Sequence, residues 1–499
     1  MACIPIDILA HADFSARHKA SRHQPGFGAF GSFVRTLQRQ NPKGTLLLSA
    51  GDEISSPYWG GEPVIRGMEL LGTGAMALGN HEFDHGEAFL ENTIASASFP
   101  VLCANITRKD TGRLLPGVKP YVLLERNGVK IGVVGITTEY TPYMVTAAAF
   151  SPYQAGSCAE ACKRYIPEVR SLGADIVVLL AHIPFYIGEN GSLSGELIDL
   201  LRQIPPVDVC MGGHIPGDYA GLWQDTLVMK GGFGGVSLGH AHLLYDTEAK
   251  AITAREARME LTPWNIPVEP DLAAFTEKIT GPHRAFFEDV LAHTDTSWRI
   301  HLSRECALGN FLAQALQEDA GVDFAYMNAT SSGGGLEPGP ITAEDVTMVL
   351  GFNDPVMKST ITGREIWKLF ELVYVPERYG NNAGLFFSGV VVHVDHTRPA
   401  LHKILAVTLP NGTPLDPDSI YTVATSEYMA SGGNDTGAIA NGRTWTPSGR
   451  RMYDVVFASL RRWGTIHVSP EKRLIETGTN YIIDYHSPQY QICGRLQLI

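Results

Sequence analysis

The chain has 499 residues, 44% hydrophobic and 18% charged, which suits a globular protein long enough for two domains with substantial cores. Its 39 basic and 52 acidic residues give a formal charge of −13, which argues against a nucleic-acid partner but leaves room for a small anion held by metal ions or a few arginines. Seven scattered cysteines, with no CxxC pair, argue against both a disulfide framework and a thiolate metal site.

The N-terminus shows no basic segment followed by an apolar run and a small-residue cleavage site, and leads quickly into a strand-like Ile6–Ala10. No later stretch approaches the roughly 18–20 apolar residues of a transmembrane helix. The expectation is an intracellular, cytoplasmic protein without a membrane partner.

Further along, Thr45–Ala50, Met76–Leu78, Pro100–Ala104, Ile176–Ala181 and Val207–Met211 read as strands, while Phe30–Gln40, Val64–Leu71 and Ala159–Leu172 read as helices. Tyr121–Arg126 and Val129–Gly135 flank Asn127-Gly128, a type I′ hairpin signal. Alternation of short apolar runs with helical patterns predicts layered α/β structure. Asp13, Asp52, Asn80, His182 and His214 each fall within about four residues of a strand's end, at the sheet edge where α/β sites assemble. Around Leu261–Pro270 three prolines break both helix and ladder patterns. This places a first domain at 1–265, a linker with a connecting helix (Asp271–Leu291) at 266–292, and a second α/β domain at 293–499. His240 and His242 alternate along a strand and read as an ordinary sheet face.

Hydrolysis of a phosphate ester brings two negative groups together, so it favours metal ions held by carboxylates, imidazoles and amides from distant segments. His11-Ala12-Asp13, Ser49-Ala50-Gly51-Asp52, Gly79-Asn80-His81-Glu82-Phe83-Asp84, Leu180-Ala181-His182 and Gly212-Gly213-His214 supply such groups in order. One Asp after a strand reads equally as a helix cap, but capping does not explain histidines at two later strand ends.

With these segments the chain resembles the calcineurin-like metallophosphoesterases, and over nearly its whole length the 5′-nucleotidase family. The resemblance implies a four-layer α/β/β/α metallophosphoesterase domain followed by a second α/β substrate-binding domain. It implies that Asp52 bridges two divalent ions (Mn²⁺, Mg²⁺ or Zn²⁺), that Asp13 belongs to the first site, and that Asn80, His182 and His214 complete the second. It assigns His81 to the transferring phosphoryl group or leaving group, with Asp84 orienting its ring.

Two first-site positions depart from the family's pattern. Ser15 stands where the family has histidine after Asp-x, and Pro216 stands where it has an imidazole or amide after Gly-His-x. Asp13, the shared Asp52, the Ser15 hydroxyl and water would favour a hard ion, held weakly, so the second site is the more secure. His18 is an alternative donor from the same loop.

In the second half, Ser303–Asn310, Met327-Asn328, Val349–Phe352 and Glu427–Gly433 match the family's landmarks. The resemblance implies that Phe352 and Tyr428 sandwich a nucleobase, that Arg304 meets anionic oxygens, and that Asn328 binds sugar hydroxyls or the base edge. Asn328-Ala329-Thr330-Ser331-Ser332-Gly333 lacks the arginine of the family's Asn-Gly-Gly-Gly-Ile-Arg, and Asp435 comes one residue late. Arg378 is further positive charge without an assigned place. The expected function is metal-dependent hydrolysis of a nucleotide or related small phosphate ester; a nucleotide-binding pseudoenzyme and a mononuclear phosphoesterase are the alternatives.

Overall fold

A computed structural model describes residues 3–21, 24–54, 59–188, 190–302, 304–374, 384–467 and 472–478. The chain divides into two compact units, one through Pro282 and one from His283 onward.

Two sheets form the centre of the first unit. One has seven strands in the order Ala251–Leu261, Ser237–Asp246, Cys3–His11, Thr45–Ser49, Thr73–Ala77, Val101–Leu102 and Val118–Lys119. The other has six, in the order Tyr219–Trp223, Thr226–Lys230, Val209–Gly212, Ile176–His182, Val129–Thr137 and Tyr121–Arg126. The central pairings are parallel, so the carboxyl ends of their strands share an edge in each sheet.

Alternation along the strands sorts side chains into two environments. Ile6, Ile8, Leu46, Leu48, Ile176, Val178, Leu180, Val209 and Met211 join one buried cluster drawn from both sheets. The intervening Leu9 and Leu47 pack with Phe27, Phe30, Val34 and Leu37 of helix Gly26–Gln38 and with Leu272. On the second sheet Val177, Leu179 and Ala181 pack with helices Cys158–Ser171 and Glu196–Leu201. These residues build the four layers α/β/β/α.

Asn127 and Gly128 have φ values of 51° and 78° between antiparallel strands, the backbone that a type I′ turn requires. The expected helix Asp271–Leu291 is interrupted. It runs as Pro270–Thr280, then meets Gly281-Pro282, and Val290–Thr294 is a strand. Proline cannot supply the amide that continues a helical ladder. Arg35 holds Pro270–Thr280 on helix Gly26–Gln38 through Glu269 (2.6 Å) and Asp271 (2.8 Å).

The second unit has a five-stranded sheet in the order Leu385–Ser388, Phe324–Asn328, Ile420–Ser426, Pro355–Thr362 and Thr446–Arg451. Phe324, Tyr326 and Val423 pack with Ile366, Leu369 and Phe370 of helix Gly363–Val373. Among the described residues the cysteines are free, and no helix is long and apolar enough to cross a membrane.

Candidate metal centre

Asp13, Asp52 and Asn80 follow first-sheet strands that end at His11, Ser49 and Ala77. His182 ends its strand in the second sheet, and His214 follows one ending at Gly212. Hydrogen bonds join the two sheets along this edge. His182 Nδ1 donates to the Ala50 carbonyl (2.8 Å), the Thr137 hydroxyl to the Leu78 carbonyl (2.5 Å), and the Ala104 amide to the Gly135 carbonyl (2.8 Å). Small residues permit the approach: a Cβ on Gly135 would collide with Leu102, and one on Gly79 with the Asp52 carboxylate.

The loops beyond the strands pair through their backbones. The amides of Asp13, Ser15 and Ala16 donate to the carbonyls of Gly51 (2.9 Å), Asp52 (3.0 Å) and Glu53 (2.7 Å). Asp13 (φ 57°), Ser15 (51°), Ala16 (52°), Asp52 (58°) and His214 (77°) all adopt left-handed backbone, at a cost of order 1 kcal/mol each for residues with a Cβ. Such strain at five non-glycine positions is concentrated where the candidate ligands converge.

The carboxylate of Asp52 is the hub. Its Oδ2 lies 2.9 Å from His182 Nε2 and 4.0 Å from His81 Nε2, and its Oδ1 accepts the His81 amide at 2.9 Å. Asn80 Oδ1 is 2.8 Å from His214 Nδ1, and Asp13 Oδ2 accepts the His214 amide at 3.1 Å. Asp52, His182 and His214 each present a ligand atom, all within 4.8 Å of one another. His182 Nε2 is buried without a hydrogen-bond partner despite its proximity to Asp52. Separations of 2.8 to 2.9 Å suit adjacent ligands of one cation, because bonds of ~2.1 Å at right angles set their ends about 3.0 Å apart. These residues therefore fit a divalent ion.

The electrostatics point the same way. Burial alone would raise the Asp52 pKa, but the imidazoles of His182 and His81 outweigh it and hold the carboxyl well below its usual range. Burial pushes Asp13 up to about 7; the charge of His182 opposes this, and the carboxylates of Asp52 and Glu53 reinforce it. Two buried carboxylates so placed call for a cation. His214 falls to about 3 through burial and the neighbouring charge of His182, so it is neutral and ready to ligate. His182 rises to about 9, because the attraction of Asp52 exceeds the penalty of burial.

His81 Nδ1 pairs with Asp84 Oδ2 at 2.8 Å. Burial disfavours charge on this ring too, yet Asp84 and Asp52 push it up to about 10. With no ion at Asp52, these carboxylates favour the protonated ring.

Glu82 does not stand out in the sequence, although it lies inside the Gly79–Asp84 segment. Fully buried, its carboxylate accepts four backbone amides: Gly79 (2.5 Å), Glu53 (2.7 Å), Asp52 (2.9 Å) and Ile54 (3.2 Å). It locks the loop bearing Asp52 to the loop bearing Asn80. An acidic residue in a metal motif invites reading as a ligand or a surface charge; only the fold reveals the amides around it.

Ser15 directs its hydroxyl at the Asp52 carbonyl, 3.5 Å away. His18 does not replace the missing imidazole: its ring packs against Phe14, Phe27 and Phe275 at centroid distances of 5.8, 5.7 and 6.0 Å, and burial lowers its pKa to about 4. His240 and His242 lie on one sheet face, both 2.8 Å from Asp7 Oδ1.

In the second unit Asn328 ends its strand, buried, with Nδ2 donating to the Thr330 hydroxyl (2.8 Å) and Oδ1 without a partner. The turn after it meets the Phe352 loop through the Gly351 amide and the Ser331 carbonyl (2.9 Å). Phe352 and Tyr428 are half-buried, and the Tyr428 hydroxyl donates to Asn434 Oδ1 (2.9 Å). Arg304 is exposed, and Arg378 lies outside the described residues.

Residues 11–218 match the family described as calcineurin-like phosphoesterase, and residues 288–440 match the 5′-nucleotidase C-terminal domain. A 5′-nucleotidase of Diplobatis ommata is 27% identical over 88% of this chain and 82% of its own length. A snake venom 5′-nucleotidase of Gloydius brevicauda is 26% identical over 89% of this chain and 82% of its own. The solved 5′-nucleotidase precursor of Thermus thermophilus shares the fold, with a TM-score of 0.83 at 22% identity over 95% of this chain and 100% of that one. These relatives overturn the expected cytoplasmic location: one is a venom protein, one is made as a precursor, and such homologues are extracellular or periplasmic.

Proposed function

We propose, for a chain that belongs to the 5′-nucleotidase family of calcineurin-like metallophosphoesterases, that it hydrolyses the phosphate ester of a nucleotide or a closely related small metabolite. The observation that carries this reading is the convergence of Asp52, His182 and His214 beside the His81–Asp84 pair. Asn80, Asp52, His182 and His214 would hold a divalent cation. When bound, such an ion supplies charge neutralisation at phosphoryl oxygens and lowers the pKa of water toward neutrality.

The remaining work falls to this chain's own side chains. His81, kept protonated by Asp84 and Asp52, holds its proton at Nε2, on the side of the ring facing Asp52. From there it can stabilise charge on the phosphoryl group or protonate the leaving oxygen. Asp84 fixes the ring's orientation, and Glu82 fixes the backbone that carries Asp52. The mix of imidazole, amide and carboxylate donors suits Mn²⁺ or Zn²⁺ better than Mg²⁺.

A single-ion centre is the second reading, favoured by Ser15 and Pro216. With Asp13 as the one additional carboxylate, a first ion would be held weakly or brought in by the substrate phosphate.

Arg304, Asn328, Phe352 and Tyr428 are assigned to recognition of the nucleoside by the second unit, within residues 293–499, after a linker at 266–292. The buried and unpartnered Asn328 Oδ1 supports this, because such an acceptor favours a hydroxyl or amino group of a ligand.

Metal analysis of protein purified without chelator, joined to turnover of nucleoside monophosphates with added Mn²⁺, tests the proposal. Bound ion and released phosphate are expected. Absence of phosphate release with every ion and substrate, alongside tight nucleotide binding, would overturn it.

A further inference from the structure

Lys230 ends the strand Thr226–Lys230, directly opposite Gly212 in the parallel pairing, and is only 2% exposed. A buried ammonium is costly unless its donors are used. Here Nζ donates to the Phe185 carbonyl at 3.2 Å and the Pro216 carbonyl at 3.4 Å, and it sits 4.7 Å from the centroid of the Phe185 ring. Phe185 is buried and packs edge-on to Tyr219 at 5.8 Å.

The two carbonyls have informative positions. Phe185 is three residues beyond His182, and Pro216 is two beyond His214. One ammonium thus ties together the two loops that leave the strands delivering the imidazoles. A methionine would fill the same volume without a buried charge, so packing alone gives no reason for a lysine. The two carbonyls and the nearby buried Asp218 carboxylate do: a single donor with several protons satisfies both carbonyls, and its charge offsets that of Asp218.

Resting on the metal reading above, we propose that Lys230 is a positioning residue of the metal centre, fixing the separation of His182 and His214 by clamping the loops that follow them. Its effect is on how tightly the ion is held and not on the chemistry directly. The clamp matters more in this chain because Ser15 and Pro216 leave the first site poor, and the second must hold its ion unaided.

The experiment measures Mn²⁺ binding to the full chain by the loss of the free-ion paramagnetic resonance signal, for wild type, Lys230→Met, Lys230→Gln and Lys230→Arg. Melting in chelator is recorded in parallel. Lys230→Met is expected to weaken Mn²⁺ binding roughly 10- to 100-fold, the range seen when groups supporting metal ligands are removed. Lys230→Arg, which keeps several charged donors, is expected to restore much of this, and Lys230→Gln, with fewer donors and no charge, clearly less. Melting in chelator should fall too, because two carbonyls lose their donor; the inference is read from the additional loss of the Mn²⁺-dependent gain in melting temperature, largest in the methionine variant. Binding by Lys230→Met within twofold of wild type overturns the inference. If Lys230→Met does not fold, equal Mn²⁺ affinity in Lys230→Gln, Lys230→Arg and wild type overturns it, whereas weaker binding by the neutral glutamine than by arginine supports it. Failure of wild type to bind Mn²⁺ at all would overturn the metal reading itself, a result distinct from either.

Discussion

His81 Nδ1 stands 2.8 Å from Asp84 Oδ2, while the opposite nitrogen of the same ring lies 4.0 Å from Asp52 Oδ2. The imidazole thus bridges a carboxylate that orients it and the carboxylate at the hub of the metal centre. His81→Ala should lower kcat by roughly 10²- to 10⁴-fold with Mn²⁺ affinity nearly unchanged, checked by steady-state kinetics and ion binding on the same samples. Unchanged turnover would show that the assigned site is wrong.

The same ring sets a pH dependence. Its folded pKa of about 10 lies above the ordinary imidazole value, so the stabilisation it provides is complete below about pH 6.5 and is lost as pH rises through 10. In chelator, the melting temperature should therefore decline across that window. Asp84→Asn should move the alkaline limb of kcat down by about 1–2 pH units.

Removal of the ion should abolish turnover, and Mn²⁺ should restore it. Because His182 rises to about 9 without an ion, binding must displace its proton. Calorimetry at about pH 7.5 in buffers of different ionisation enthalpy should report about one proton released per ion. No proton release would separate His182 from the ligand set.

The first site can be rebuilt. Ser15→His combined with Pro216→His supplies two imidazoles beside Asp13, and histidine tolerates the left-handed backbone at position 15 (φ 51°) better than most residues. Mn²⁺ stoichiometry at low concentration is expected to rise from near one toward two per chain. An unchanged stoichiometry would mean that more than these two side chains limits the first site.

Glu82→Ala should destabilise the protein by about 3 kcal/mol or more, because four amides lose a charged acceptor in a buried place. Glu82→Gln should recover only part of this, since its amide group turns donors toward donors. Denaturant unfolding in chelator measures both variants.

Much of this centre is legible in the sequence because its ligands follow strands whose apolar runs are unmistakable, such as Ile176–Ala181 before His182. The ends of those runs place Asp13, Asp52, Asn80, His182 and His214 at the sheet edges. What stays hidden depends on contacts between distant loops. Glu82 is defined by amides from residues about thirty positions earlier, and Lys230 by carbonyls from two other loops, and neither leaves a periodic trace. The helix at Pro270–Thr280 reads too long because the apolar spacing beyond Gly281-Pro282 belongs partly to the strand Val290–Thr294. Compartment misleads for another reason: it is not a property of strands, helices or side-chain contacts, and only the relatives correct it.

The small residues at the joined edges of the two sheets carry one more consequence. Toward the ligand-bearing edge the first sheet contributes Ala10, Ala12, Ala50 and Ala77 to the inter-sheet core, whereas Ile6 and Leu46 stand nearer its opposite end. These methyl groups share the core with Leu180 and Met211 of the second sheet, and the bulk on both sides acts as a gauge for the centre, because Asp52 belongs to one sheet and His182 and His214 to the other. Ala50→Val, beside the carbonyl that accepts from His182 Nδ1, adds bulk at this edge and should weaken Mn²⁺ binding, read from the loss of the free-ion paramagnetic signal.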